Sequence, residues 1–371
     1  MDTIRILPHP GELTAEEDAA LRRAGEIIRS GGLVAFPTET VYGLGGDALN
    51  RASSQRIYAA KGRPSDNPLI VHICRLEDME AIVRSVPPEA VRIAKAFWPG
   101  PLTMILYKSD LVPSETTGGL DTVAIRFPSD RTARKLIEYS GGYVAAPSAN
   151  RSGRPSPTLA KYVAEDMDGR IDMLIDGGEV GIGLESTIID LTVSPAQILR
   201  PGYVTREMLL AVLGEVDTDV TSMRLDSGQA PRAPGMKYRH YAPRGDLVIV
   251  EGAPETVTGY INRQLWEERE KGEKTGVICT EETAARYRAD VVKPVGSRND
   301  EESVARHLFA VLRELDDEGA TKIYSESFES PGLGQAVMNR LLKAAGYRVV
   351  SLGDSGKGTV KAETKDDKSR L

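Results

Sequence analysis

The chain has 371 residues, 40% of them hydrophobic, with a formal net charge of −7 and two cysteines. The length predicts about two domains and the composition excludes a largely disordered chain, while the acidic balance excludes a surface built throughout to bind nucleic acid. Cys74 and Cys279 are too few for a disulfide framework or a zinc cluster. No apolar run is long enough to span a membrane and the start lacks the apolar core of a signal peptide, so we expect a cytoplasmic protein without membrane contact.

The first part of the chain mixes short apolar runs with helical patterns. A capping box at 14–17 begins a helix that ends at 31–32, and a Thr- and Gly-rich segment, 38–48, indicates a loop. Strand-like runs lie at 33–37, 68–73, 102–107, 122–127, 143–147, 172–178, 185–191 and 197–202. Because the last two runs resemble antiparallel neighbours, we predict an α+β or α/β domain over 10–215.

The composition changes after this domain. Residues 216–245 are rich in proline, glycine and basic side chains, which predicts a linker. Strands and helices then alternate regularly over 246–350, with a helix expected near 281–288, and this rhythm predicts a smaller doubly wound, Rossmann-like domain with a mainly parallel sheet. The last residues, 351–371, are small and charged, and we expect them to be disordered.

The stretch KGRPSDNPL places Lys61, Arg63 and Asn67 where a helical pattern gives way to a strand. Two cations at such a corner can converge on one anion, for which a phosphate chain is the natural ligand. The alternative is a solvated cationic helix end that complements the helix dipole. This loop alone leaves both interpretations open.

A second polar loop, APSANRSGRPSPT, follows an apolar strand and contains Ser148, Asn150 and Ser156. Hydroxyls and backbone amides in a tight glycine-containing loop form concavities that bind anions. The alternative is a surface turn in which these side chains only cap the local backbone. So many small polar residues directly after a buried strand favour a binding loop.

Two ionisable residues occupy apolar strands. Arg126 lies within AIRFP, where an unpaired cation would be costly, so we expect it to meet a carboxylate or a phosphate. His72, within LIVHI, is either a satisfied core histidine or a hydrogen-bonding group that faces the same cleft. Weaker candidates come from the PTETVYGLG, GLESTI and LRPG segments: Thr40, Ser186 and Arg200.

Several catalytic motifs are missing from the sequence. It contains no HExxH, CxxC, GxSxG or strand-linked GxGxxG. The motifs typical of zinc hydrolysis, thiol redox chemistry, acyl-serine chemistry and dinucleotide binding are therefore absent from the sequence. What remains is a cleft rich in Arg, Lys, Ser, Thr and Asn. This composition suits phosphoryl or nucleotidyl transfer, in which positioning and charge neutralisation supply most of the catalysis.

Seven motifs, taken together and in order, resemble the long two-domain form of the YrdC-like threonylcarbamoyl-AMP synthases. They are PTETVYGLG, KGRPSDNPL, the SAN-x-SG loop, GLESTI, LRPG, PGMKYRHYAP and GLGQAVMNRLLKAA. The resemblance covers all but about the last 20 residues. It implies an N-terminal YrdC-like α/β domain with a twisted mixed sheet.

The resemblance also implies an activity. L-Threonine, bicarbonate and ATP, with Mg²⁺, would form L-threonylcarbamoyl-AMP and pyrophosphate. A separate tRNA threonylcarbamoyl transferase would then use the product, and a weak contact with RNA is a further expectation.

Residue roles follow from the same resemblance, which gives Lys61 and Arg63 the catalytic role on the phosphates. The positions that match the threonine site are Thr40, His72, Arg126, Ser186 and, through its backbone, Ala146. Those expected at ATP are Arg63, Asn67, Thr122, Ser148, Asn150, Ser156, Arg200, Arg239, His240 and Tyr241. The last three belong to the linker, which we expect to act as a lid over the occupied cleft.

Two alternatives remain at this stage. The basic cleft could bind RNA in a ribosome-assembly module, although the acidic net charge disfavours this interpretation. A related enzyme could form a carbamoyl-adenylate from carbamoyl phosphate, but no acylphosphatase-like segment or paired-cysteine zinc finger is present.

Overall fold

The computed structural model describes residues 1–7, 11–218, 231–233, 241–328, 330–353 and 358–361. The chain divides into two compact units, Met1–Tyr238 and Arg239–Leu371. None of the helices in these described ranges combines the length and the apolar character that crossing a membrane requires.

Strands and helices of the first unit alternate irregularly along the chain. The strands are β1 (Asp2–Arg5), β2 (Val34–Phe36), β3 (Gly43–Asp47), β4 (Ile70–His72), β5 (Leu102–Tyr107), β6 (Thr122–Arg126), β7 (Val144–Ala145), β8 (Met173–Asp176), β9 (Thr187–Asp190), β10 (Gln197–Arg200) and β11 (Asp217–Thr218). The helices are α1 (Ala15–Arg29), α2 (Arg51–Lys61), α3 (Asp78–Ile82), α4 (Pro88–Phe97), α5 (Arg131–Tyr139), α6 (Ala160–Met167) and α7 (Arg206–Leu213).

Side-chain caps fix the ends of several helices. The capping box predicted before α1 is present, because Glu17 N–H donates to Thr14 Oγ1 and Thr14 N–H donates to Glu17 Oε2. Asp130 caps α5 by accepting from the backbone of Ala133 at 2.8 Å. At the other end of α2, Gly62 adopts the left-handed conformation (φ 62°) that turns the chain into the KGRPSDNPL corner.

The first unit contains one large mixed sheet. Its strand order is β1-β8-β2-β3-β7-β4-β6-β5-β9-β10-β11. β4 and β6 are parallel, β5 is antiparallel to β6, and β9 and β10 form the expected antiparallel pair. The mixed α/β fold predicted for this part of the chain is confirmed.

The two faces of this sheet are covered differently. One face packs against α2, α3, α4, α6 and α7 through a large apolar core. On the opposite face, α1 and α5 cover only the part formed by β2, β7 and β8. The rest of that face is a smaller apolar patch, which buries Ala233 of the linker; its strand residues are Ile70, Ile105, Ala124, Ile188 and Leu199.

The sheet also extends beyond its predicted limits. β3 forms inside the segment expected to be a loop and pairs antiparallel with β2. Its glycines allow close packing, since a Cβ atom on Gly45 would lie 2.9 Å from the side chains of Phe36 and Val144. β1 precedes the predicted domain start at residue 10 and β11 follows its predicted end at 215.

The second unit has a six-stranded sheet. Its strands are β12 (Asp246–Glu251), β13 (Thr275–Cys279), β14 (Val291–Pro294), β15 (Lys322–Glu326), β16 (Val349–Leu352) and β17 (Gly358–Lys361), in the order β14-β13-β15-β12-β16-β17. Its helices are α8 (Pro254–Glu270), α9 (Glu301–Asp317) and α10 (Leu333–Ala344).

This sheet is parallel except for β17, which is antiparallel to β16. α8 packs on the face that carries Val250 and Val277, whereas α9 and α10 contact each other. Since Leu247 and Ile249 point to the opposite face and are also fully buried, both faces are covered. The doubly wound prediction is therefore confirmed.

Two local predictions for this unit need correction. The helix expected near 281–288 is only a three-residue 3-10 helix, Ala284–Arg286. The tail expected to be disordered from 351 onward contains the end of β16 and all of β17, because backbone pairing continues the sheet there. Residues 354–357 and 362–371 lie outside the described residues.

Candidate active site

The part of the large sheet that α1 and α5 do not cover gathers polar side chains at one edge, where β4 and β6 end. His72 ends β4 and Arg126 ends β6, and the two residues are direct neighbours in the parallel register. Thr103 of β5 pairs with Arg126 from the other side. Alternation along these strands places all three on the face that carries the Ile70 and Ala124 patch.

Arg126 meets a carboxylate, as expected for a buried cation. Its Nη2 lies 2.8 Å from Glu39 Oε1, and the exposed fractions of the two side chains are 5% and 13%. The same guanidinium donates to Thr38 Oγ1 at 3.5 Å, and that hydroxyl lies 2.9 Å from Thr40 Oγ1. Thr40 and Arg126, both predicted for the threonine site, thus belong to one network, and Glu39 joins it although it was not among the predicted site residues.

His72 is held neutral at this edge. Burial and the positive charge of Arg126 lower the pKa of His72 to about 3. Nδ1 lies 3.1 Å from the carbonyl oxygen of Ile70, which can only accept, so Nδ1 carries the proton and Nε2 carries a lone pair. The structure therefore offers a neutral imidazole, packed edge-on against Phe36, rather than a cation.

Ser186 connects two further strands to the same edge. Its hydroxyl lies 2.7 Å from Thr103 Oγ1, and Arg200 donates to it from Nη2 at 3.2 Å. Arg200 Nε also donates to the carbonyl of Ser186 at 3.0 Å. Arg200, expected at the nucleotide, therefore lies against a residue expected at the threonine. Thr103 was missed because a threonine inside an apolar strand gives no functional signal.

Lys61 fixes the second polar loop. It is 3% exposed, and its ammonium group donates to the carbonyl oxygens of Ser148 and Asn150, each at 2.5 Å. Asn150 holds the loop further by donating from Nδ2 to the carbonyls of Arg151 and Arg154. The sequence predicted a cation directed at an anion, whereas this ammonium group binds oxygens of its own chain.

Arg63 holds the KGRPSDNPL corner. Its Nη2 donates to Asn67 Oδ1 at 2.6 Å and to the carbonyl of Pro68 at 3.0 Å. Asn67 is 1% exposed, and its Nδ2 has no hydrogen-bond partner among the described residues. Thr122 lies at the same end of the sheet, two residues before Ala124, which pairs with Ile70. This end therefore presents an unsatisfied buried donor.

Ser156 and Ala146 complete the predicted set in the first unit. Ser156 donates to Glu185 Oε1 at 2.6 Å, so the second polar loop is connected to the residue that precedes Ser186. The backbone N–H of Ala146 donates to the carbonyl of Ile70 at 2.9 Å.

The linker is described in part. Arg232 donates to Asp190 and Gln197, and the neighbouring Ala233 is fully buried on the apolar patch of the site face. Arg239 and His240, predicted at the nucleotide, lie outside the described residues. Tyr241 belongs to the second unit and packs within it against Phe309, with a distance of 5.0 Å between the ring centroids.

Metal ligands can be assessed over the described ranges. No group of three or more His, Cys, Asp or Glu side chains there could hold a metal ion.

Two family models match this chain. One, described as "Telomere recombination", matches residues 26–202. The other, described as "Threonylcarbamoyl-AMP synthase, C-terminal domain", matches residues 204–346.

Curated proteins match along the same span. The threonylcarbamoyl-AMP synthase of Pyrococcus abyssi is 49% identical over 336 residues, which cover 91% of this chain and 97% of that protein. The enzyme of the same name from Bacillus subtilis is 47% identical over a span that covers 90% of this chain and 95% of that protein. The crystal structure of P. abyssi Sua5 complexed with L-threonine matches with a TM-score of 0.89 and 47% identity, and covers 95% of this chain and 100% of that one.

Proposed function

Because the chain belongs to the threonylcarbamoyl-AMP synthase family, we propose that it joins L-threonine, bicarbonate and ATP into L-threonylcarbamoyl-AMP and releases pyrophosphate. The observation that carries this proposal is the match, over nearly the full length of both chains, to a structure that holds L-threonine. The RNA-binding and carbamoyl-phosphate alternatives have no comparable support.

The threonine would bind at the edge formed by Arg126, His72, Thr40 and Ser186. The guanidinium of Arg126 suits the carboxylate of an amino acid, since charge-assisted bonds to carboxylates are strong in partly dry sites. The neutral His72 and the hydroxyls of Thr40 and Ser186 can exchange hydrogen bonds with a substrate hydroxyl. Ala146 would contribute backbone atoms only.

The nucleotide would extend from this edge towards the KGRPSDNPL corner. Asn67 supports this direction, because its buried Nδ2 donor has no partner in the described residues. Arg63 and Thr122 lie at the same corner, and Lys61 keeps the loop of Ser148, Asn150 and Ser156 in place. We assign Lys61 and Arg63 an electrostatic role around the phosphates, and Arg200 a place where the two substrates meet.

Chemistry in this cleft needs no covalent intermediate with the protein. The threonine amine and bicarbonate would form a carbamate with loss of one water molecule, and a carbamate oxygen would then attack the α-phosphorus of ATP while pyrophosphate leaves. The cationic side chains would stabilise the charge that develops on the phosphates. Mg²⁺ would accompany the ATP phosphates and neutralise the leaving pyrophosphate.

The linker would protect the reactants from water. The burial of Ala233 on the site face supports this role, since the linker already covers part of the apolar patch there. Arg239, His240 and Tyr241 would complete the cover when the substrates are bound. A carbamate and a mixed anhydride both hydrolyse readily, so exclusion of water would raise the yield.

The product implies the partners. A tRNA threonylcarbamoyl transferase would accept the product in the cytoplasm, and contact of this chain with RNA would be weak.

Release of pyrophosphate from ATP tests the proposal when threonine and bicarbonate are omitted in turn. We expect release only when both are present. Release that ignores threonine, or release with carbamoyl phosphate instead, would contradict the proposal, and no release at all would favour the RNA-binding alternative.

A matched pair of arginine variants completes this experiment. Arg126→Met should lower the rate by at least about a hundredfold, since a charged clamp on the substrate is worth about 3 kcal/mol. Arg84→Met should keep the wild-type rate, because Arg84 forms an exposed ion pair with Asp121.

A further inference from the structure

The ion pair of Arg126 and Glu39 leaves polar atoms unsatisfied at the centre of the site. Both carboxylate oxygens of Glu39 are buried without a hydrogen-bond donor in the described residues, and Arg126 Nε is buried without an acceptor. The 2.8 Å approach of Arg126 Nη2 to Glu39 Oε1 is an electrostatic contact whose angles do not form a hydrogen bond.

Buried polar atoms in native proteins are nearly always hydrogen-bonded, and a specific exception calls for an explanation. Here the exceptions complement one another chemically, because one cationic donor and two anionic acceptors lie side by side. A ligand that satisfies both must bring an anionic acceptor for Arg126 and N–H donors for Glu39. An α-amino-acid zwitterion carries these two groups on the same carbon atom.

The neighbouring ionisable groups cannot take the place of Glu39. Asp130 already accepts from the backbone of Ala133 as the cap of α5, and burial together with the charge of Glu39 raises the pKa of Asp130 to about 6. His72 is neutral and supplies no negative charge. Thr38 Oγ1 is engaged with Thr40 and with the carbonyl of Val41.

We propose that Glu39 binds the α-amino group of the amino-acid substrate, while Arg126 beside it binds the carboxylate. This assignment rests on the proposed function and deepens it, because it names the side chain that recognises the nitrogen which becomes carboxylated. It also gives the site a means to reject ligands that have a carboxylate but no amine.

Binding of two matched ligands, without ATP or bicarbonate, tests the assignment. The ligands are L-threonine and 2,3-dihydroxybutanoate, which keeps the carboxylate and the side chain but carries a hydroxyl in place of the amine. Nuclear magnetic resonance titration measures both affinities, weak ones included. Glu39→Gln should weaken threonine binding about tenfold to a hundredfold and change the analogue's affinity by less than about threefold.

Each outcome decides the matter. An equal loss for both ligands would show that Glu39 acts only by holding Arg126, and unchanged threonine binding would likewise overturn the assignment. Failure of the wild-type protein to bind threonine would overturn the proposed function as well. Glu39→Asp, which keeps the charge, should restore part of the preference for threonine, and Glu89→Gln, at an exposed pair with Arg92, should retain wild-type affinities for both ligands.

Discussion

Each unit of the molecule contains an arginine and a glutamate paired near a strand end, and the two pairs differ in how their carboxylates are bonded. Glu326, at the end of β15, accepts from Thr283 at 2.5 Å, from Tyr287 at 2.7 Å and from Arg298 at 2.5 Å. Glu39 accepts no hydrogen bond from the described residues although both of its carboxylate oxygens are buried.

This contrast separates a carboxylate that supports the fold from one available to a ligand. A buried charge with several donors is stabilised by them, whereas a buried charge without donors lowers the stability of the folded state. Proteins keep such unfavourable groups chiefly at functional sites. The first unit therefore leaves the hydrogen-bonding capacity of Glu39 open, and the second uses that of Glu326.

The same substitution at both glutamates tests the contrast most strongly. Glu326→Gln should lower the free energy of unfolding by about 2–3 kcal/mol, since Thr283 and Tyr287 donate to Oε1 and Arg298 donates to Oε2. An amide in either orientation turns its NH2 group towards donors, and a buried donor left unsatisfied costs about 1–3 kcal/mol. In an Arg126→Met background, Glu39→Gln should cost less than about 1 kcal/mol, because no hydrogen bond is lost and no buried charge is left unpaired. Urea unfolding of the two variants measures both values.

The effects of these variants on threonine affinity should have the opposite order to their effects on stability. Glu326→Gln should bind threonine like the wild-type protein wherever it remains folded, whereas Glu39→Gln should not. Equal losses of stability in the two variants would remove the distinction between the carboxylates.

His72 neighbours Arg126, and its low pKa makes the stability of the first unit depend on pH. The pKa of His72 is lowered to about 3 in the folded chain, against about 6.5 in an unfolded one. The unfolded chain therefore binds the extra proton between these values, so stability falls as the pH falls below about 6.5. The loss from this residue should reach about 3 kcal/mol at about pH 4.5, since each pH unit below 6.5 costs about 1.4 kcal/mol.

Urea unfolding at several pH values compares the wild-type protein with His72→Gln, which should lose correspondingly less stability on acidification. Asp130 contributes with the opposite sign, because its raised pKa of about 6 makes the folded state bind the proton more tightly. That contribution is common to both proteins and cancels in their difference. Parallel pH curves would contradict the prediction.

The sequence predicted elements and charges better than it predicted partners. Arg126 could be expected to meet an anion because an arginine inside an apolar strand must be neutralised. The identity of the anion could not be derived, since Glu39 follows a strand end, where a glutamate is ordinarily exposed. Similarly, the charge of Lys61 was evident, but its acceptors lie 87 and 89 residues further along the chain.

The unpredicted strand β3 illustrates a second limit. Its residues, Gly43–Asp47, show no apolar alternation, and three of the five are glycines. They form a strand because they pair with β2 and β7. The glycines are needed there because neighbouring side chains leave no room for a Cβ atom, as at Gly45. This cause is a tertiary one, and it leaves no local pattern in the sequence.

The cation of the second pair should contribute least. Arg298 is 41% exposed at its side chain, so solvent screens its interaction with Glu326, and Thr283 and Tyr287 continue to bond the carboxylate without it. Arg298→Met should therefore cost about 1 kcal/mol or less in urea unfolding, and added salt should reduce the difference from the wild-type protein. A loss as large as that of Glu326→Gln would mean that the ion pair, rather than the hydroxyl donors, holds the carboxylate of the second unit.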